Sequence, residues 1–125
     1  MKKFNIYVGF DQKEAVAYHV FCQSLIDNTS IPLQIHPMAL RTLNKYKEHH
    51  QDRSNDFVYS RFLIPFLNNY QGWAIFVDGD MICQSDIKEL FDLRDETKAL
   101  MVVKHEYKTK QNKKYLGNIN ENYPR

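Results

Sequence analysis

The stretch Trp73-Ala74-Ile75-Phe76-Val77-Asp78-Gly79-Asp80-Met81-Ile82-Cys83 constrains this chain more than any other. Trp73 to Val77 has the length and the aromatic and β-branched content of a buried strand. It does not alternate with polar residues. Strands covered on both faces read this way, and they belong mostly to parallel sheets flanked by helices. Two carboxylates follow at once, Asp78 and Asp80, separated by Gly79. In extended chain, positions two apart project from the same face, so both side chains can turn toward one point. Two hard oxygen donors at that spacing suit Mg²⁺ or Mn²⁺. Gly79 has no side chain and lets a ligand approach the backbone. In open α/β sheets, ligands sit beyond the carboxyl ends of the strands, where this pair falls. The plainer reading is a strand that ends in an acidic turn.

The rest of the chain supplies the partners that such a strand needs. Phe4 to Gly9 reads as a first strand, and Gly9-Phe10-Asp11 as the turn after it. Asp11 stands where a helix N-cap belongs, with Glu14 three residues on, close to a capping box. Ala15, Tyr18, Cys22 and Leu25 follow at helical spacing. Asp27 to Ser30 ends that helix, and Pro32 prevents its continuation. Leu33 to Met38 reads as a second strand, which Pro37 limits or places at an edge. Leu40 to His50 fits a short helix or a loop, His49-His50 reads as a solvated pair, and Gln51 to Asp56 as a loop.

From Phe57 to Tyr70, residues Tyr59, Phe62, Leu63, Phe66, Leu67 and Tyr70 form an apolar stripe at helical spacing. Asn55 or Asp56 can cap this helix. Pro65 predicts a kink or a break into two short helices. Arg61 lies off the stripe, and Gln71-Gly72 is a C-terminal stop. After the central run, Ser85 or Asp86 caps a helix expected to turn Ile87, Leu90, Phe91 and Leu93 inward. Ala99 to Val103 reads as a fourth strand. Lys104 to Arg125 is lysine- and asparagine-rich and reads as a polar loop or tail. Strand and helix therefore alternate, which predicts an α/β domain with a largely parallel sheet.

Composition narrows the function classes. Seventeen basic against fifteen acidic residues leave a net charge of +2, which does not argue for a dedicated nucleic-acid binder. Cys22 and Cys83 lack metal-ligand spacing and read as two buried reduced thiols of an intracellular chain. No stretch approaches the ~20 apolar residues of a membrane span. These points lead to an expected cytoplasmic location. The length fits a single domain over 1–125, with a core at about 4–103.

Three segments resemble the nucleotide-binding half of a GT-A-fold glycosyltransferase close to family 8. They are the first strand ending at Asp11 with the helix ending Ser24-Leu25-Ile26-Asp27-Asn28, then Tyr59-Ser60-Arg61-Phe62-Leu63-Ile64-Pro65, then Ile75-Phe76-Val77-Asp78-Gly79-Asp80-Met81-Ile82. Asp86-Ile87 and Leu90 continue the match. The resemblance implies a Rossmann-like GT-A nucleotide-diphospho-sugar transferase fold, incomplete here. It also implies hexosyl transfer from a nucleotide-diphosphate sugar, a UDP-sugar by preference. Asp78 and Asp80 would hold Mn²⁺ (or Mg²⁺) on the diphosphate. Asp11 would contact the base or ribose, and Arg61 the donor's sugar or phosphate. The acceptor, whether glycan, lipid or protein, is left open.

Two features depart from the family pattern. Glu14 stands near where many relatives carry an aromatic residue. No histidine here matches the family's third metal ligand, which comes from a later segment. The chain is therefore expected to be a fragment, with an unpaired sheet edge through which a homo-oligomer could form. Two alternatives follow. One is a catalytically incomplete nucleotide- and metal-binding fragment. The other is a haloacid-dehalogenase-type phosphatase, with Asp78 as nucleophile, although that class carries its D-x-D on the first strand.

Overall fold

A computed structural model describes residues 2–106, 108 and 110. The chain divides into two compact units, Met1–Arg94 and Asp95–Arg125. Among the described residues, all regular elements lie in the first. They run β1 (Phe4–Gly9), a 3₁₀ turn (Gln12–Glu14), α1 (Ala15–Asp27), β2 (Leu33–Met38) and a second 3₁₀ turn (Leu40–Thr42). After a long connection come a third 3₁₀ turn (Ser60–Leu63), α2 (Ile64–Leu67), β3 (Ala74–Val77) and α3 (Lys88–Asp92). The sheet is three-stranded and all parallel, in the order β2-β1-β3. This is the α/β arrangement that the alternating pattern predicts, and it fits part of a Rossmann-like GT-A fold.

β1 is central. Its register pairs Ile6 with Ile35 on one side and with Ile75 on the other. β2 is an outer strand, so Pro37, which has no N–H to offer a ladder, is tolerated there. The two faces of the sheet are both covered, as the unbroken run in β3 requires. Ile6 and Val8 pack with Phe21 and Leu25 of α1 and with Ile87 and Phe91, supported by Ile75 and Val77. On the other face Tyr7, Met38 and Phe57 form a smaller cluster, supported by Ile64, Ala74 and Phe76.

Several expected details are corrected. In α1 the most buried residues are Phe21 and Leu25, while Tyr18 and Cys22 are half-buried. Phe91 of the short α3 and Ile87 just before it are buried, whereas Leu90 and the following Leu93 are exposed, because a helix this short reaches the sheet with one turn. Asp86 rather than Ser85 caps it, accepting the Lys88 N–H at 3.0 Å.

The Phe57–Tyr70 segment departs most. It breaks at Pro65 into a 3₁₀ turn and a single α-turn, as the proline predicts. The stripe, however, points outward. Phe62, Phe66 and Tyr70 are exposed, and the inward positions are Phe57 and Ser60, with Ile64 packing beside them. A 3₁₀ turn advances three residues per turn, so a stripe spaced for an α-helix does not stay on one side. The reversal also comes before Gly72. Asn69 (φ 54°) and Tyr70 (φ 53°) take the left-handed conformation, and the Tyr70 N–H donates to the Pro65 carbonyl at 2.7 Å.

In the second unit, Asp95 accepts from the Thr97 N–H and hydroxyl and so forms a turn. The expected fourth strand at Ala99 to Val103 does not form. Leu100 to Val103 are exposed, because an apolar run becomes a strand only when a ladder partner takes its N–H and C=O groups. The polar tail expected over 104–125 lies mostly outside the described residues. Among the described residues, no helix is long and apolar enough to cross a membrane.

Candidate functional site

β1 and β3 are parallel neighbours, so the residues after them, Phe10-Asp11 and Asp78-Gly79-Asp80, meet at one end of the sheet. Two glycines allow this. A Cβ on Gly79 would lie 2.2 Å from the Gly9 carbonyl oxygen. A Cβ on Gly9 would lie 2.7 Å from the ring of Phe57. Neither position accepts any other residue without moving backbone or a buried ring. β3 ends at Val77, and Gly79-Asp80 is a bend, so the two carboxylates leave the strand rather than continue it.

The segment after Asp80 is held from the other side by α1. The Cys83 N–H donates to Ser24 Oγ at 2.9 Å, and Asn28 Nδ2 donates to the Cys83 carbonyl at 3.1 Å. Ser24 and Asn28 thus fix where the acidic turn emerges. The sequence contained both residues but gave no signal of this clasp.

Arg61 comes to Asp78. Its Nη2 lies 3.6 Å from Asp78 Oδ1, and both side chains are part-exposed. Arg61 Nε donates to the Phe57 carbonyl at 3.3 Å, and the guanidinium lies over the rings of Phe76 and Phe57, at 4.9 and 5.5 Å from their centroids. These contacts orient the guanidinium and leave it one carboxylate partner at the turn.

Asp11 is buried, and both its oxygens accept from backbone. Lys13 N–H donates at 2.8 Å, and Asp56 N–H at 3.0 Å. The first bond is the expected cap. The second ties down the long connection that follows the second 3₁₀ turn. Burial pushes the Asp78 carboxyl above its ordinary range; Arg61 opposes that rise and Asp80 adds to it. Glu14 is raised by burial first, then by repulsion from Asp80, Asp11 and Asp78. Four carboxylates therefore share one field, with Arg61 as a counter-charge beside Asp78.

Acidic groups that repel one another are stabilised by a cation among them. The exposed Asp80 and the half-exposed Asp78 offer hard oxygens to a Mg²⁺ or Mn²⁺ ion, which takes its remaining ligands from water and phosphate. Among the described residues, no three His, Cys, Asp or Glu side chains lie together in an arrangement that could hold a metal. Asp78 and Asp80 alone do not make an all-protein cage for such an ion.

A family model described as Glycosyl transferase family 8 matches residues 2–124. The chain belongs to that family. It is also 44% identical over 128 residues to Protein CDI of Arabidopsis thaliana. That match takes in 99% of this chain and 49% of the relative, so the chain spans about half the length of the protein it matches. No solved structure matches it.

Proposed function

We propose that these residues form the donor-binding part of a glycosyltransferase acting on a nucleotide-diphosphate sugar, most naturally a UDP-sugar. The observation that carries the reading is the convergence of Asp78, Asp80 and Arg61 at the end of two neighbouring parallel strands in a family 8 chain. Asp78 and Asp80 would hold Mn²⁺ or Mg²⁺. Bound there, the ion would offset the negative charge that develops on the departing nucleoside diphosphate. Arg61, held by two rings and a carbonyl, is placed to pair with a donor phosphate or sugar oxygen in exchange for Asp78. Asp11 keeps the connection in place and, through the resemblance, borders the base or ribose. Family membership supports transfer over the phosphatase alternative. A binding fragment that completes no transfer uses the same residues and is the second reading, because among the described residues no three ligating side chains come together to hold a metal.

Thermal unfolding with UDP, with Mn²⁺ and with both tests the site. A ligand at about 100 times its dissociation constant adds ~2.7 kcal/mol, a shift of several degrees for a domain this size. The expected shift requires both components and disappears in Asp80→Ala. A UDP shift that survives chelation of metal counts against the proposal.

A further inference from the structure

The connection between the second and third 3₁₀ turns carries an ordered side-chain cluster. The Glu48 side chain is 5% exposed. Its Oε1 accepts from both the N–H and the Nδ1 of His50, at 2.8 and 2.7 Å, and its Oε2 accepts from the Tyr46 hydroxyl at 3.0 Å. These bonds, led by the His50 backbone N–H, lower the Glu48 carboxyl to about 2. An ionised carboxylate can only accept. His50 Nδ1 therefore carries a hydrogen, and in the uncharged form of the ring Nε2 is the acceptor. The imidazole lies flat on Tyr59, with centroids 3.7 Å apart and planes 19° apart, and the Tyr59 hydroxyl is fixed by Asp52 at 2.9 Å. The His50 side chain is nonetheless 52% exposed. Exposed aromatic side chains seldom stay ordered without such anchors.

We propose that the His50–Tyr59 stack is a second ligand platform, and that His50 Nε2 accepts a hydrogen bond from a sugar hydroxyl of the acceptor. The choice of a sugar rests on the glycosyl-transfer reading above. The polarity of the site selects the chemistry. A fixed acceptor needs an O–H or N–H donor, and the neighbouring Glu48 charge repels phosphates and carboxylates. An oriented imidazole also suits a metal, but among the described residues no further ligands stand beside it to make a set of three. A flat ring with a polar edge matches a pyranose, whose C–H face rests on the ring while a hydroxyl meets the edge.

Nitrogen-correlated NMR of the histidine rings at mildly alkaline pH gives the test. The whole chain is titrated with methyl β-D-galactopyranoside, methyl α-D-glucopyranoside and lactose. His50 is expected as the Nδ1–H tautomer, and at least one sugar is expected to move its ring signals and those of Tyr59. His50→Phe keeps a stacking ring but removes the acceptor, and should weaken that binding roughly tenfold, the loss of one hydrogen bond. Asp80→Ala should leave it unchanged, which separates this platform from the donor site. The proposal is overturned by an Nε2–H tautomer, by silence with all three sugars, or by full affinity in His50→Phe.

Discussion

The two faces of the sheet are built on different principles. The face under α1 and α3 is dry, with aliphatic and aromatic side chains from five elements and the connections between them closing on Ile6 and Val8. The opposite face mixes apolar packing with a chain of polar contacts. Asn5 Nδ2 donates to Asn68 Oδ1 at 2.7 Å, Asn5 Oδ1 faces His36 Nε2 at 3.2 Å, and His36 stacks on Tyr7 at 4.7 Å. This face also carries Phe57 and Phe76, on which Arg61 rests. Burial of oil holds the first face together, and it tolerates loss of shape anywhere except in its stability. Mutual fit holds the second, and there small changes reach the acidic turn.

Leu25→Ala should have the largest effect. It empties a fully buried position on the dry face and should lower stability by about 2–5 kcal/mol in urea unfolding. The comparison holds if the protein that remains folded binds UDP with Mn²⁺ as before. Gly9→Ala should cost less, about 1–3 kcal/mol, because the new methyl drives against the Phe57 ring. That ring supports Arg61, so calorimetric titration should show nucleotide binding weakened beyond what the stability loss explains. If the two variants trade outcomes, the division between faces fails.

Smaller effects sharpen the same contrast. Asn5→Ala leaves half-buried Asn68 and His36 groups without their partner and should cost about 0.5–1.5 kcal/mol. Burial also lowers the His36 ring below its ordinary 6.5. The folded state therefore binds fewer protons than the unfolded chain between the lowered value and 6.5. The stabilisation is complete above 6.5 and is lost as pH falls through the lowered value. A midpoint in urea that declines on acidification, and declines less in His36→Phe, is the expected result.

The dry face was the easier one to read. β1, α1, β2 and β3 were legible because apolar runs and helical spacing report burial directly. The Asp11 cap, the break at Pro65 and the outer position of Pro37 were legible because backbone chemistry sets them locally. The second face is covered by 3₁₀ turns and irregular chain, whose inward residues follow no fixed period. The stripe of Phe62, Phe66 and Tyr70 therefore misled, while Phe57 and Ser60 gave no sign of burial. Arg61 was legible as a residue off the stripe, but its approach to Asp78 depends on the Phe57 carbonyl and ring and on the Phe76 ring from β3. Glu48 and His50 meet through a turn that no spacing rule encodes. The Ala99 to Val103 run has the composition of a strand, but a strand also needs a neighbour.

The central position of β1 has a consequence for biosynthesis. The strand that both others flank leaves the ribosome first, and its β3 partner follows about seventy residues later. Until β3 is made, Ile6 and Val8 lack one of the two strands that flank them. Contacts this distant along the chain form slowly, and exposed strand edges invite association meanwhile. The nascent chain should therefore depend on chaperones until Val77 emerges, and a pause in translation upstream of Trp73 should raise aggregation more than one after Arg94.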